Sequence, residues 1–504
     1  MRYLIGVDLG TQGTKTSLRD ENGIEAGTAF EASRLIYPEV GAVEQNPEEM
    51  LGSILRTIAR VMRETAIPPG DVAGMAISGQ MAGIMGVGAD GMAVTPYDSW
   101  LDTRCGTYRD AFLAHGEERF ISVTGAPVTY AHGPKIAWWK GERPETYARI
   151  RKFVQPAGYC AMRLCGLPGD AAFIDHTYLH FAGFADTANR VWSRELLNAI
   201  GIDPDKMPAI VRPYDKIGGL SGDMAAQCGL AAGTPVVAGC GDTAASIFGA
   251  GVIRPGLLLD VAGTASVLAC AADAFVPDVR HKTVMFSNSV LDGIFIPYAY
   301  INGGGMCLKW LRDDILGGGA DYDELDKKAE SVPPGSDSLV FLPHFSGRVC
   351  PNDTLVRGSF LNLSWKHDAA HLYRAILEGI AYEYGVYQDI IHELLPQLRF
   401  ERVFSVGGGA RSELFRRIKA DVLGTEVATI NLVDTSLLAC CAIAGHGVGL
   451  YGSPTQLIEQ SLKVVDAIPP DAKRHAAYKP RQRIYADAFA AQHDVVRRLQ
   501  ELEA

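Results

Sequence analysis

The feature that most constrains this chain is its opening, Asp8-Leu9-Gly10-Thr11-Gln12-Gly13-Thr14-Lys15. An apolar, β-prone run from Tyr3 ends in a carboxylate. A Gly/Thr turn follows, and the chain resumes as a second strand toward Arg19. Gly lets backbone approach a phosphate, and Thr and Lys can donate to its oxygens. Asp8 is placed to hold Mg²⁺ through waters, because Mg²⁺ keeps part of its hydration shell. The element after the turn reads as a strand, which separates it from Walker A loops and dinucleotide fingerprints, where a helix follows. A Gly-rich hairpin without a ligand satisfies the same residues.

The pattern returns faintly in the second half. Leu257 to Ala262 is an apolar run followed by Gly263-Thr264, and Thr234 to Gly239 runs into Cys240-Gly241-Asp242. Two related α/β domains are expected, 1–250 and 251–504, since 504 residues exceed one ordinary core. Pro47 to Thr65 carries apolar residues at helical spacing, and Val72 to Ser78 reads as a buried strand.

Asp242 stands alone among small residues after a buried strand. It can accept the proton of an attacking hydroxyl, or serve as a turn or cap for the next helix. Gly303-Gly304-Gly305 and Gly407-Gly408-Gly409-Ala410 are further candidate ligand turns; the latter sits between the strand Arg402 to Val406 and the helical stretch Glu413 to Leu423. Gln80-Met81 follows the strand ending at Ser78, and Trp100-Leu101-Asp102-Thr103-Arg104 lies twenty residues on. Trp100 offers an apolar face to sugar C–H groups, and Gln80 and Asp102 can bond hydroxyls. Core packing for Trp100 and a surface ion pair between Asp102 and Arg104 are the alternatives.

A net charge of -11 argues against a nucleic-acid surface. There is no apolar run of membrane-span length and no signal-like start, so no membrane partner and a cytoplasmic location are expected. The ten Cys residues include no C-x-x-C pair, and Cys440-Cys441 read as buried thiols, which fits a reducing compartment.

Taken in order, these blocks resemble the FGGY carbohydrate kinase family over nearly the whole chain. Lys135-Ile136-Ala137-Trp138 resembles the family's first signature. Gly358-Ser359-Phe360-Leu361-Asn362-Leu363 with His371-Leu372 and Ala375-Ile376-Leu377-Glu378 resembles the second. The resemblance implies two ribonuclease H-like α/β domains with an actin-type ATPase core and a cleft between them. It implies ATP and Mg²⁺, with Asp242 as the base and Asp8 and Asp242 at the metal. Thr11, Gln12, Lys15, Gly263 and Thr264 would surround the phosphates, and Gly305, Lys309, Gly408, Gly409 and Ala410 would lie near the nucleotide. Gln80, Met81, Trp100, Asp102 and Tyr130 fall on the sugar-pocket positions, beside Asp242. Homodimers are common among relatives, so one is an expectation here.

Within the family, Ser78-Gly79-Gln80-Met81, Trp100 to Arg104 and Trp192-Ser193-Arg194-Glu195-Leu196-Leu197 look closest to xylulokinases, which implies D-xylulose as the acceptor and D-xylulose 5-phosphate as the product. Three residues depart from that pattern. Ala82 stands where a xylulokinase usually has His, Thr243 where it has Asn, and Asn362 where the signature has Gly. Lost hydrogen-bonding groups change which hydroxyls a polar pocket accepts. The alternatives are a kinase of the same family for ribulose, ribitol, erythritol or a similar acceptor, and, from another class, an actin- or chaperone-like ATPase switch. Retention of Asp8 and Asp242 argues against a member that has lost catalysis.

Overall fold

The computed structural model describes residues 1–502. The chain divides into two compact units. The first comprises 1–253, 286–295 and 434–462, and the second comprises 254–285, 296–433 and the remainder from 463. A single cut at 250 therefore misses the return of 434–462 to the first unit, twenty-nine residues that the sequence reading left in the second half.

The first unit is built on a twisted sheet. Strands β1 (Tyr3–Leu9), β2 (Gly13–Asp20) and β3 (Glu25–Ala32) form an antiparallel meander. β4 (Val72–Gly79) joins β1 in parallel, with Asp8 beside Ser78. β5 (Lys216–Gly219) and β6 (Pro235–Val237) extend the sheet beyond β4, and the short β7 (Cys240–Gly241) lies parallel to the end of β4. Helix α1 (Pro47–Thr65) covers one face with Met50, Leu51, Ile54, Leu55, Ile58, Val61 and Met62, the residues whose spacing predicts it. Asn46 caps it by accepting from the Glu48 and Glu49 amides, and Pro47 occupies its first turn.

The helix Thr435–Gly447 packs against β1 and β4. It comes so close to β1 that a Cβ on Gly6 would collide with the Leu437 carbonyl oxygen. Its small and apolar side chains are buried almost all round, Cys440 and Cys441 included. A further cluster built on Phe112, Phe120, Ile136, Trp138, Trp139, Phe153 and Phe184 forms the core of the segment inserted after β4.

The second unit repeats the plan. β8 (Leu257–Ala262) and β9 (Ser266–Cys270) form a hairpin, and β10 (Phe295–Ile301) pairs antiparallel with β9. On the other side of β8 lie β11 (Arg402–Val406) and β12 (Glu426–Ile430), both parallel, and then β13 (Val464–Ile468), antiparallel. In each unit, then, a strand, a Gly/Thr turn and an antiparallel return are flanked by a parallel neighbour, as in a ribonuclease H-like domain. Asp260 of β8 is fully buried. It accepts from Ser405 Oγ at 2.5 Å and Tyr384 Oη at 2.9 Å, and it pairs with Lys419 Nζ at 2.5 Å.

Candidate active site

In the first unit the functional candidates gather where β1, β4 and β7 end. Asp8 is partly buried, and both its oxygens are engaged: Ser78 Oγ donates to Oδ1 at 3.0 Å and Ser436 Oγ to Oδ2 at 2.8 Å. Burial, with a further push from Asp434, raises its carboxyl above the usual carboxylate range; the two serines and Lys15 oppose this. Because Ser78 is level with Cys240 across β4 and β7, the next turn brings Asp242 to the same end of the sheet. Asp242 opens helix α2 (Asp242–Gly249). Burial first and then the Asp8 carboxylate push its carboxyl up to about 7, against donors from Thr243. Those donors are the Thr243 amide at 2.6 Å and its hydroxyl at 3.2 Å, both on Oδ1. Two carboxylates that disfavour each other's charge are a fit for a divalent cation. Among the described residues no cluster of three or more His, Cys, Asp or Glu forms a ready-made metal cage.

Lys15 Nζ pairs with Asp434 Oδ1 at 2.6 Å. Gln12 is exposed in the turn, and its carbonyl accepts from the Ser33 amide at 2.9 Å. The hydroxyl of Thr11 donates to Gln80 Oε1 at 3.2 Å and accepts from Trp100 Nε1 at 2.9 Å. Gln80 is buried and passes its own Nε2 donor to Gln45 Oε1 at 2.7 Å. Met81 packs so tightly over Gly241 that a Cβ there would meet its sulfur at 2.5 Å, which sets Met81 beside Asp242. Trp100 keeps 48% of its surface exposed.

Asp102 is tied to its protein neighbours. Its buried carboxylate accepts from the Val43 amide at 2.9 Å, the Arg104 amide at 3.1 Å and Arg104 Nε at 2.9 Å. The ion pair offered as an alternative is therefore formed, in the interior and not at the surface. It shares Arg104 with Asp98 at 3.0 Å and Glu44 at 2.8 Å, and the guanidinium lies over the Trp138 ring at 4.6 Å. Tyr130 is half-buried: Arg109 Nη1 donates to its hydroxyl at 3.3 Å, and its backbone carbonyl and that of Asp102 both accept from Lys135 Nζ.

The second unit brings together all three of its glycine clusters. β8 runs into Gly263, whose amide donates to Ala265 O at 3.2 Å. Helix α3 (Gly304–Trp310) starts against that turn. A Cβ on Gly305 would overlap the Gly263 carbonyl oxygen, and the Met306 amide donates to Thr264 O at 3.3 Å. Across the parallel pair β8–β11, a Cβ on Gly409 would meet the Ala262 Cβ at 2.9 Å, and Gly407 takes φ +91°. Ala410 is buried, whereas Thr264 and Gly408 are exposed and nothing lies within 4 Å of a Cβ on Gly408. Together they leave a side-chain-poor floor that suits a flat base or a phosphate chain. Lys309 points outward, paired with Asp313 at 3.0 Å.

The comparisons decide what such a pair of units is. Residues 3–249 match the N-terminal domain and residues 260–444 the C-terminal domain of the FGGY family of carbohydrate kinases. The chain belongs to the FGGY family of carbohydrate kinases. It is 27% identical over 504 residues to the xylulose kinase of Bacillus subtilis, covering 98% of each chain. It is 29% identical over 465 residues to the gluconokinase of the same organism, covering 90% of this chain and 88% of that one. The crystal structure of xylulose kinase from Rhodospirillum rubrum superposes with a TM-score of 0.90 at 25% identity, over 98% of this chain and 100% of that one. The architecture is thus the two-domain, actin-like ATPase fold of FGGY kinases. Among the described residues no helix is long and apolar enough to cross a membrane.

Sequence reading missed Ser78, Ser436, Asp434 and Gln45, the groups that hold Asp8, Lys15 and Gln80. Ser78 is detectable once β1 and β4 are read as adjacent strands. Nothing local in the sequence ties Asp434 or Ser436 to the opening turn.

Proposed function

We propose that this FGGY kinase transfers the γ-phosphate of ATP to the terminal hydroxyl of D-xylulose, giving D-xylulose 5-phosphate and ADP. The end-to-end relation to xylulose kinases carries the choice of sugar. The chemistry rests on the partly buried Asp242, whose Oδ1 accepts from the Thr243 amide and hydroxyl, which leaves Oδ2 for the acceptor.

In this reading the first unit holds the acceptor, with Gln80, Met81, Trp100 and Tyr130 around it, and Asp102 acts from below by fixing the Trp100 turn. The second unit holds the nucleotide on Gly263, Thr264, Gly305, Gly408, Gly409 and Ala410. Lys15 and the Gln12 turn are the first unit's candidates for binding phosphate. Asp242 Oδ2 takes the proton of the terminal hydroxyl as that oxygen attacks the γ-phosphorus in line. The bond from phosphorus to the β–γ bridging oxygen breaks, and ADP leaves. Asp8 and Asp242 would hold Mg²⁺, which when bound neutralises charge on the phosphate oxygens.

A second acceptor class is favoured by one observation: the gluconokinase relatives match at an identity no lower than that of the xylulose kinases. A coupled ADP-release assay across D-xylulose, gluconate, D-ribulose, ribitol and erythritol decides between them. D-Xylulose should give the highest kcat/KM. A higher value for another member of the panel replaces it as substrate.

A further inference from the structure

A cavity of about 400 Å³ opens in the first unit between the end of β3 and the first turns of α1. None of the acceptor, phosphate or base candidates lines it. The least exposed side chain on its wall is Gln45, at 2%. Gln45 Oε1 accepts from Gln80 Nε2 at 2.7 Å, whereas no described residue accepts from its own Nε2. A buried donor without an acceptor is costly. Because Gln80 takes the carbonyl end, the amide end of Gln45 is the one that the cavity can use.

The rest of the wall is rich in donors. Arg56 donates Nε to Glu31 Oε2 at 3.0 Å and Nη2 to Glu31 Oε1 at 2.5 Å, which spends that carboxylate and leaves Arg56 Nη1 without a described acceptor. Asn46 Oδ1 accepts from the Glu48 and Glu49 amides, so its Nδ2 remains to donate. Arg34 is exposed and pairs with no described carboxylate. Against these donors stands one carboxylate without a described partner, that of Glu49. The start of α1 adds partial positive charge at the same end. A neutral sugar brings as many donors as acceptors and would leave this surplus unmatched. A phosphoryl group is an acceptor at every oxygen and suits guanidinium donors. The space exceeds what inorganic phosphate fills and lies within the range of small-molecule sites.

We infer that this cavity is a second small-molecule site, which binds a sugar-sized phosphate monoester through Arg34 and the spare donors of Arg56, Asn46 and Gln45. The site stands apart from the proposed phosphoryl transfer, and no step of that reaction passes through it.

Isothermal titration calorimetry with D-ribose 5-phosphate tests this on the parent, Arg34→Glu and Glu49→Gln. The parent should bind with a Kd of about 1 mM or tighter. Arg34→Glu changes an exposed, unpaired side chain, so it should keep the parent's melting temperature and weaken binding by about tenfold or more. Glu49→Gln removes the one opposing charge and should tighten binding by roughly twofold to fivefold. Inorganic phosphate should bind the parent more weakly than the ester does. If Arg34→Glu does not fold, Arg34→Gln takes its place beside Glu49→Gln. Binding by the folded Arg34 variant equal to the parent's would move the ester elsewhere and overturn the proposal, as would no binding by the parent at about 10 mM ester. Equal affinity for inorganic phosphate would show that the rest of the cavity recognises nothing and would overturn the sugar-sized ligand.

Discussion

Lys15 and Asp434 are 419 positions apart in the chain, and their side chains pair at 2.6 Å inside the first unit. Two residues further on, Ser436 donates to Asp8. The start of one helix late in the sequence therefore holds both charged residues of the opening turn. Asp434→Asn should free Lys15 and raise the KM for ATP several-fold. Both side chains are about one-third exposed, so the pair adds only about 0–1 kcal/mol to stability, and the melting temperature should hardly move. Steady-state kinetics and a thermal melt on the same preparation check both halves. An unmoved ATP KM would mean that Lys15 needs no clamp.

Asp242 gives a pH signature. A base with a carboxyl near 7 must lose its proton to work, so kcat/KM should fall on the acid side of about pH 7. The same shift affects stability. The folded value lies above the unfolded one, so the group's contribution is fully present below about pH 4 and is lost as pH rises through 7. Asp242→Asn removes that loss. In EDTA the variant should melt higher than the parent, with a larger gap at pH 8 than at pH 5. A gap that is absent or reversed at pH 8 would show that the carboxylate is not held at a cost.

Gly305 and Gly408 make a paired test of the nucleotide floor. A Cβ on Gly305 would overlap the Gly263 carbonyl, so Gly305→Ala should disturb the turn and lower both stability and ATP affinity. Around Gly408 nothing stands within 4 Å, so Gly408→Ala should leave the melting temperature unchanged. If the nucleotide fills that space, Gly408→Ala still weakens ATP binding, as isothermal titration calorimetry would show. Unaltered affinity would place the nucleotide elsewhere.

The buried pair Asp260–Lys419 lies beneath the Gly263 turn. Lys419→Met should cost about 3–5 kcal/mol by leaving Asp260 charged and only partly paired in the interior. Adding Asp260→Asn should recover part of this. Chemical denaturation of the single and double variants checks it, and equal losses in the two would deny the coupling.

Local features were readable from the sequence wherever one residue type has one job. The apolar spacing of Pro47 to Thr65 gives α1, and the glycine clusters mark the places where backbone approaches backbone. The helix Thr435–Gly447 was legible only as a buried, small-residue run. A segment that is apolar all round announces burial and not what it packs on, so neither its return to the first unit nor the reach of Asp434 could be read. The partners of Thr11 and Asp102 were illegible for a different reason. A hydroxyl or a carboxylate serves a ligand or a neighbour equally well; here Gln80 accepts from Thr11, Trp100 donates to it, and Val43 and Arg104 donate to Asp102.

The most direct test of the account is acceptor-dependent ADP release by the parent protein and by Asp242→Asn, with products read by mass spectrometry. The parent should release ADP only when a sugar is present and form the sugar phosphate in equal amount, while Asp242→Asn stays folded and is slower by about a hundredfold or more. ADP release without an acceptor and without a phosphorylated sugar, or turnover by Asp242→Asn within a few-fold of the parent, would contradict it.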